Sequence, residues 1–405
     1  MDKLVGEVQH YAWGDRRHIA ELQGRTPGPE PEAELWFGAH PVAPSLIGAD
    51  RSLLDAVDEQ PAALLGPTVY ARFGQFPFLL KILAAAEPLS IQVHPSLAQA
   101  RAGYHREDAE GIPRDSPSRT YRDDNHKPEL ICALTEFEAK CGFRPLPATR
   151  LLIGALADGG GRGLLELSRR LGDGSGPSTS LLDALAWLLR IGPTDASSVA
   201  SEAVAAAERL LARGLDPALT PFERDLRWTA ELNRYHPGDA GVVVALLLNH
   251  VVLQPGEAVF LGAGNLHSYL RGVGVELMAN SDNVIRGGLT VKHVDVDELL
   301  TVVDLGTGPA PIQTPVGCHH RFQSPTPEFS LTRAVGAEPG RFEPSGPEIV
   351  LVTEGAVVLE GPGTAGPLRL RAGEAALVAF VDGPYHFRPE GSATFWRATV
   401  GDLGD

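Results

Sequence analysis

Cysteine is scarce: three residues in 405, Cys132, Cys141 and Cys318, none of them in a close Cys-x-x-Cys spacing. They cannot all pair within the chain. That excludes a disulfide framework and a thiolate zinc or dithiol centre, and it points to a reducing cytoplasm as the expected compartment. Long apolar runs are also missing. The longest, Gly241 to Leu248 with Val251 to Leu253 beyond it, falls well short of the roughly 18 residues that read as a bilayer span, and a buried strand is expected there instead. The first residues, Met1 to Gly6, show no basic stretch leading into an apolar segment, so neither a secretory signal nor a membrane partner is expected.

Positive charge is in deficit, with Lys and Arg at 35 against 51 Asp and Glu, a formal net charge of -16. Nucleic acid is an improbable partner, because backbone binding depends on Lys and Arg neutralising phosphates. An anionic small molecule would have to be drawn by a local cluster of cations against the overall field.

What is present suits ordinary globular folding, with 43% apolar and 21% charged residues. At 405 residues more than one structural unit is expected. Short apolar runs punctuated by Pro and Gly, such as Phe76 to Leu83 and Leu89 to His94, predict strands up to about residue 146. From 147 to 239 the texture changes to Ala, Leu, Arg and Glu with apolar residues at helical spacing, notably Leu181 to Leu189 and Val199 to Leu211, which predicts an inserted helical unit. Strands return over 240–314, and from 315 to 405 the even spacing of short apolar runs suggests a small β-barrel or jelly roll. Leu253-Gln254-Pro255-Gly256-Glu257-Ala258 and Leu370-Arg371-Ala372-Gly373-Glu374-Ala375 share a strand–turn–strand pattern, which suggests two related β units.

Three polar groups stand out against these apolar runs. Gln92 and His94 are two apart, so on a strand both face one side. Glu129 opens a strand after Asp124-Asn125-His126-Lys127-Pro128, and His267 follows the turn Gly262-Ala263-Gly264-Asn265. Two imidazoles, one carboxylate and one amide oxygen are a suitable donor set for a divalent metal, and a single anionic ligand leaves the ion with net positive charge. A fourth segment, Glu276 to Lys292, carries Arg286, which can fork onto phosphate oxygens, and Lys292, a point charge.

The strings Leu89-Ser90-Ile91-Gln92-Val93-His94-Pro95, His126-Lys127-Pro128-Glu129-Leu130 and Ser281-Asp282-Asn283-Val284-Ile285-Arg286-Gly287-Gly288-Leu289-Thr290 resemble the signatures of type I phosphomannose isomerases. Tyr11-Ala12-Trp13-Gly14, Glu34-Leu35-Trp36 and Pro77-Phe78-Leu79-Leu80-Lys81 match in the same order. The resemblance implies a mainly β fold with two cupin units and an inserted α-helical domain. It implies one Zn2+ per chain on Gln92, His94, Glu129 and His267, and a sugar phosphate held by Ser90, Lys81, Tyr269 and Lys292. Catalytic roles fall to Arg286, Lys127, His126 and Asp282: ring opening by Asp282 and His126, proton transfer between C1 and C2 by Lys127, and stabilisation of charge on O1 and O2 by Arg286. One position departs, since relatives with His-Pro-x-Lys have a Lys where this chain has Leu97. A metal-dependent cupin oxygenase, an isomerase of another sugar phosphate and a non-catalytic sugar- or metal-binding cupin are the competing readings, and a monomer or weak homo-oligomer is expected.

Overall fold

A computed structural model describes residues 1–404 apart from 173, 175 and 363–365. Three antiparallel sheets and a block of helices build the molecule. Eleven strands between Glu7 and Gln313 form the first sheet system, and helices from Leu146 to Tyr235 interrupt it. Mostly β structure with an inserted helical segment is therefore what the chain adopts.

The strand His267–Ala279 organises that first system. Its first half pairs with Phe137–Phe143 and Ile91–Val93, and its second half with Phe78–Ala85 and Glu129–Ala133. The change of partners falls at Gly272, where φ is +130° and an added Cβ would lie 2.7 Å from Glu136 O and 2.8 Å from Phe137 Cα. Only glycine fits such a bend, which lets one strand serve both sets of neighbours.

Helices Leu146–Ala157, Arg162–Leu171, Pro177–Arg190, Pro193–Arg213 and Glu223–Tyr235 occupy the stretch predicted as helical. Their apolar faces, including Leu152, Leu167, Leu185 and Leu210, pack into one core with Ile91, Val93, Leu266 and Ile285. The last four are strand or strand-edge residues whose neighbours in sequence carry the polar groups, so the helices bury the backs of the site strands. Asp225 clamps the joint, with its carboxylate between Lys140 and Arg144, and Trp228 Nε1 donates to Glu138 Oε2 at 2.7 Å.

The apolar run from Gly241 departs from the expected strand. Gly241–Val244 is a helical turn, Ala245–Leu247 a 3-10 turn, and only Leu248–Leu253 is extended. A short apolar run does not distinguish a buried helix from a buried strand, and local chemistry decides here. Asp239 Oδ1 accepts from Gly241 N at 2.7 Å and starts the turn, while Gly241 packs so closely on Gly288 and Leu289 that a Cβ would meet Leu289 N at 2.6 Å.

Beyond Ile312 the described chain is nearly all strand, in sheets of eight and four strands. The eight-stranded sheet also recruits Asp2–Val5, Leu46–Ile47 and Arg51–Ser52 from the beginning of the chain. One core, containing Leu4, Phe37, Leu130, Leu277, Phe329, Leu351 and Trp396, runs through both β regions. The two similar turns also share their hydrogen bonds: Gln254 N and Arg371 N each donate to the Glu side chain three residues on, at 2.9 Å, and Gly256 and Gly373 both have positive φ. No helix among the described residues is long and apolar enough to cross a membrane.

Because the bend at Gly272 admits no Cβ, Gly272→Ala should lower unfolding stability by about 2 kcal/mol or more. Chemical denaturation of the two proteins measures this; equal midpoints and slopes would contradict the bend's requirement for glycine.

Candidate active site

His267, Gln92 and Arg286 stand in one row across three strands. Gln92 pairs with His267 on one side and with Arg286 on the other. Directly opposed residues share a face, so all three point inward. His94, two residues on from Gln92, takes the same face, and Glu129 enters from the strand paired with the far half of His267–Ala279.

The ligand atoms of His94, Glu129 and His267 lie within 4.8 Å of one another, and all three residues are buried. Each histidine is oriented from behind. His94 Nδ1 donates to Asn283 O at 2.7 Å and His267 Nδ1 to Asn265 O at 2.9 Å, which leaves both Nε2 atoms as lone-pair donors facing Glu129. Nε2 of each approaches a Glu129 oxygen to 3.4 Å, yet His94 Nε2 and Glu129 Oε2 are buried without any hydrogen-bond partner. Burial pushes His94 down to about 4, so it is a neutral imidazole at pH 7. Burial alone would raise the Glu129 carboxyl, but the charges and hydrogen bonds of His94, Lys127 and His267 outweigh it and hold the group well below the usual carboxylate range. The Gln92 amide stands 3.3 Å from His267 Nε2, and half a turn about its last bond presents Oε1 to the same point. Buried, unpartnered lone pairs on His94 Nε2 and Glu129 Oε2, beside a second imidazole and an amide, fit a divalent metal and fit little else.

In front of these residues lies a polar cavity of about 170 Å³. Lys81, Lys127, Tyr269 and Asp282 line it together with Gln92 and Glu129. Lys127 Nζ is 3.3 Å from Glu129 Oε1. Lys81 sits 3.1 Å from Glu276 Oε2 and 3.5 Å from Glu34 Oε1; burial works against its charge, but Glu34 and Glu276 raise its pKa and keep it an ammonium. Burial and the Glu276 charge push the Tyr269 phenol well above its usual value.

Arg286 is half-buried and Lys292 exposed, and neither has a carboxylate partner among the described residues. Both have lowered pKa values, first from burial, then from one another's neighbourhood: Arg122 acts on Arg286, and Arg286 and Arg122 act on Lys292. Arg122 thus joins them in a cation cluster, with its backbone N–H fixed to Asn283 Oδ1 at 2.7 Å. Leu97, the departing position, begins the helix Leu97–Ala109 behind a Ser96–Gln99 capping box and brings no charge. Ser90 precedes the strand Ile91–Val93 and is partly exposed, outside the residues that line the cavity.

His126 does not join the cavity lining; its Nε2 is 2.8 Å from Glu328 Oε1, in the loop before the strand Ser330–Gly336. Asp282 does line the cavity, and it meets a different imidazole, with Oδ1 3.4 Å from His40 Nε2. Sequence reasoning also passed over Glu34, Glu276 and Arg122. The signal was there for two of them: Glu34 begins the fully buried strand Glu34–Gly38, and Glu276 lies in a nearly all-buried strand, where a charge needs a partner.

Comparison with known proteins agrees with this geometry. Residues 1–146 match the phosphomannose isomerase type I catalytic domain. Over the whole chain, similarity extends to the mannose-6-phosphate isomerase of Escherichia coli (strain K12), 36% identical across 96% of this chain and 98% of that protein. The chain belongs to the type I phosphomannose isomerase family. The Salmonella typhimurium relative is 38% identical over 95% of this chain and 96% of its own length. Among solved structures, a mannose 6-phosphate isomerase bound with zinc and yttrium aligns at a TM-score of 0.87 and 35% identity, covering 99% of this chain and 100% of that one. Family membership at this similarity gives the chain the cupin fold.

Replacing Glu129 by Gln removes the only anionic donor from the cluster. Divalent metal affinity, read by competition with a chelating dye, should fall on the order of 100-fold or more, beyond the 10- to 100-fold typical of losing an outer partner. Unchanged affinity would show that the metal sits elsewhere.

Proposed function

We propose that this chain interconverts D-mannose 6-phosphate and D-fructose 6-phosphate, with one zinc ion held by Gln92, His94, Glu129 and His267. The observation that carries the reading is the pairing of buried, unpartnered ligand atoms with three neighbouring cations, Arg122, Arg286 and Lys292, none of which forms an ion pair among the described residues, in a protein of net charge -16. Lys292 and Arg122 take the phosphate, with Ser90 at the edge, and Arg286 stands in register with Gln92. Lys81 and Tyr269 hold sugar hydroxyls.

Zinc, when bound, supplies a Lewis acid for the sugar oxygens. The chain's own groups do the rest. Asp282 opens the cyclic sugar. Lys127 takes the proton from C2 of the aldose and delivers it to C1, through a cis-enediol, while the O2 proton passes to O1. Arg286 stabilises negative charge that develops on O1 and O2. An oxygenase would have no use for the unpaired cations, and the sugar phosphate does.

The same reading takes residues 1–146 and 240–314 as the catalytic unit, 147–239 as the inserted helical unit and 315–405 as a second cupin-like unit, in a cytoplasmic monomer or weak homo-oligomer.

Purified protein should turn over mannose 6-phosphate, lose activity with a chelator and regain it with added zinc, in a coupled assay for fructose 6-phosphate; no turnover in the zinc-loaded state would overturn the assignment. With Lys127→Ala, solvent-deuterium incorporation at C2 should drop by about 100-fold or more, within the range of a lost general acid–base, while zinc content stays at one per chain. Undiminished incorporation would remove Lys127 from the proton path.

A further inference from the structure

The histidine that meets Asp282 belongs to a part of the chain to which no role has so far been attached. His40 follows the strand Glu34–Gly38, and only 4% of it is exposed. Its Nδ1 accepts from Val42 N at 3.3 Å, so in the neutral ring the proton sits on Nε2, the atom that faces Asp282 Oδ1 at 3.4 Å. The ring's other contacts keep it in place: it packs edge-on against Trp36 with centroids 4.9 Å apart, and Trp36 Nε1 is itself tied to Glu34 Oε2 at 2.6 Å. Both His40 and Asp282 line the cavity.

Asp282 is held just as selectively. Its backbone N–H donates to Asp123 Oδ2 at 2.7 Å, its side chain is 46% exposed, and Oδ1 faces the His40 ring. One carboxylate oxygen therefore has a fixed neighbour and the other is open to a ligand. His126, the imidazole expected in this place, is turned toward Glu328.

We propose that His40 is the positioning residue of the ring-opening base: it holds one oxygen of Asp282 and aims the other at the anomeric hydroxyl of the cyclic sugar phosphate. The contact with His40, ahead of the opposing effect of burial, also keeps the carboxyl below its usual range, in the ionised form a base requires. The step balances within the pair and the sugar. In the aldose Asp282 takes the proton of O1, the C1–O5 bond breaks as the C1–O1 double bond forms, and the same proton passes from Asp282 to O5; in the ketose the proton comes from O2, the C2–O5 bond breaks as the C2–O2 double bond forms, and O5 again receives it. His40 touches no reacting atom, since one nitrogen faces the backbone and the other Asp282; it acts only through that carboxylate. This inference rests on the reading of Asp282 as the ring-opening base, and the test separates the two.

The variants are His40→Gln, which keeps an N–H near the Nε2 position, and His40→Leu, which removes it, each assayed as zinc-loaded enzyme. With fructose 6-phosphate, His40→Leu should lose at least tenfold in kcat with KM within threefold of the parent, and His40→Gln should recover most of that loss. With 5-deoxyfructose 6-phosphate, which has no O5 and cannot close a ring through it, both variants should stay within twofold of the parent. His40→Leu added to Asp282→Asn should cost less than twofold more. Equal losses on both substrates, an additive loss in the double variant, or full activity of His40→Leu on fructose 6-phosphate would each overturn the positioning role. Full activity of Asp282→Asn would instead remove the base itself. Should His40→Leu not fold, the Gln variant and the contrast between the two substrates still decide.

Discussion

Two hydrogen bonds that never touch a ligand govern the centre of this protein: His94 Nδ1 to Asn283 O and His267 Nδ1 to Asn265 O. An imidazole has one lone pair to offer when neutral, and these bonds decide that it lies on Nε2 and points inward. Without them the rings could rotate or bond each other, and the buried Glu129 carboxylate would recruit protons in place of a metal. Asn283 links this constraint to the substrate side. Its backbone carbonyl sets His94, while its side chain takes Arg122 N and donates to Asp123 O and Asn125 O, each at 2.7–2.8 Å. Metal ligand, cation cluster and the loop leading to Lys127 are thus referenced to one buried residue.

Rigid elements carry that arrangement because the sheet partners and the helical insert press on it from opposite sides. Ile91 and Val93 send their side chains into the helical core, which forces Gln92 to face the other way. The strand His267–Ala279 delivers His267 and Tyr269 from one half and Glu276 from the other, with the bend at Gly272 between them. Function thus depends on helices that contribute no group to the cavity. The C-terminal sheet contributes in a comparable way: its core is continuous with that of the catalytic strands, and Glu328 holds the imidazole of His126, next to Lys127.

Much of this could be read from sequence, for reasons that differ by element. The helical stretch was legible because long periodic segments report one face clearly, and Gln92 with His94 because a period of two on a strand is unambiguous. Gly241–Val244 was not, since a run of apolar residues carries no period. His126 and His40 show a harder limit. His40 directly precedes Pro41 and His126 lies two residues before Pro128, both in loops, and which imidazole reaches Asp282 depends on backbone paths joining segments 242 and 156 residues apart, about which spacing is silent. Arg122 was hidden for the same reason: an exposed arginine in an Asp-rich loop reads as solvated until its neighbours are known.

The charge distribution shows why the unpaired cations matter. Several buried or half-buried cations elsewhere in the chain have carboxylate partners: Lys140 and Arg144 share Asp225, Lys81 sits between Glu34 and Glu276, and Arg119 meets Glu107 and Asp108. With 51 acidic residues available, none forms an ion pair with Arg122, Arg286 or Lys292 among the described residues, and the pKa values of Arg286 and Lys292 are lowered by burial first and then by the neighbouring cations. On the proposed reading a dianionic phosphate would relieve that repulsion, and only a ligand that brings its own negative charge could do so. On that reading, discrimination against the unphosphorylated sugar would need no special pocket shape. It would follow from the mutual repulsion of the three cations.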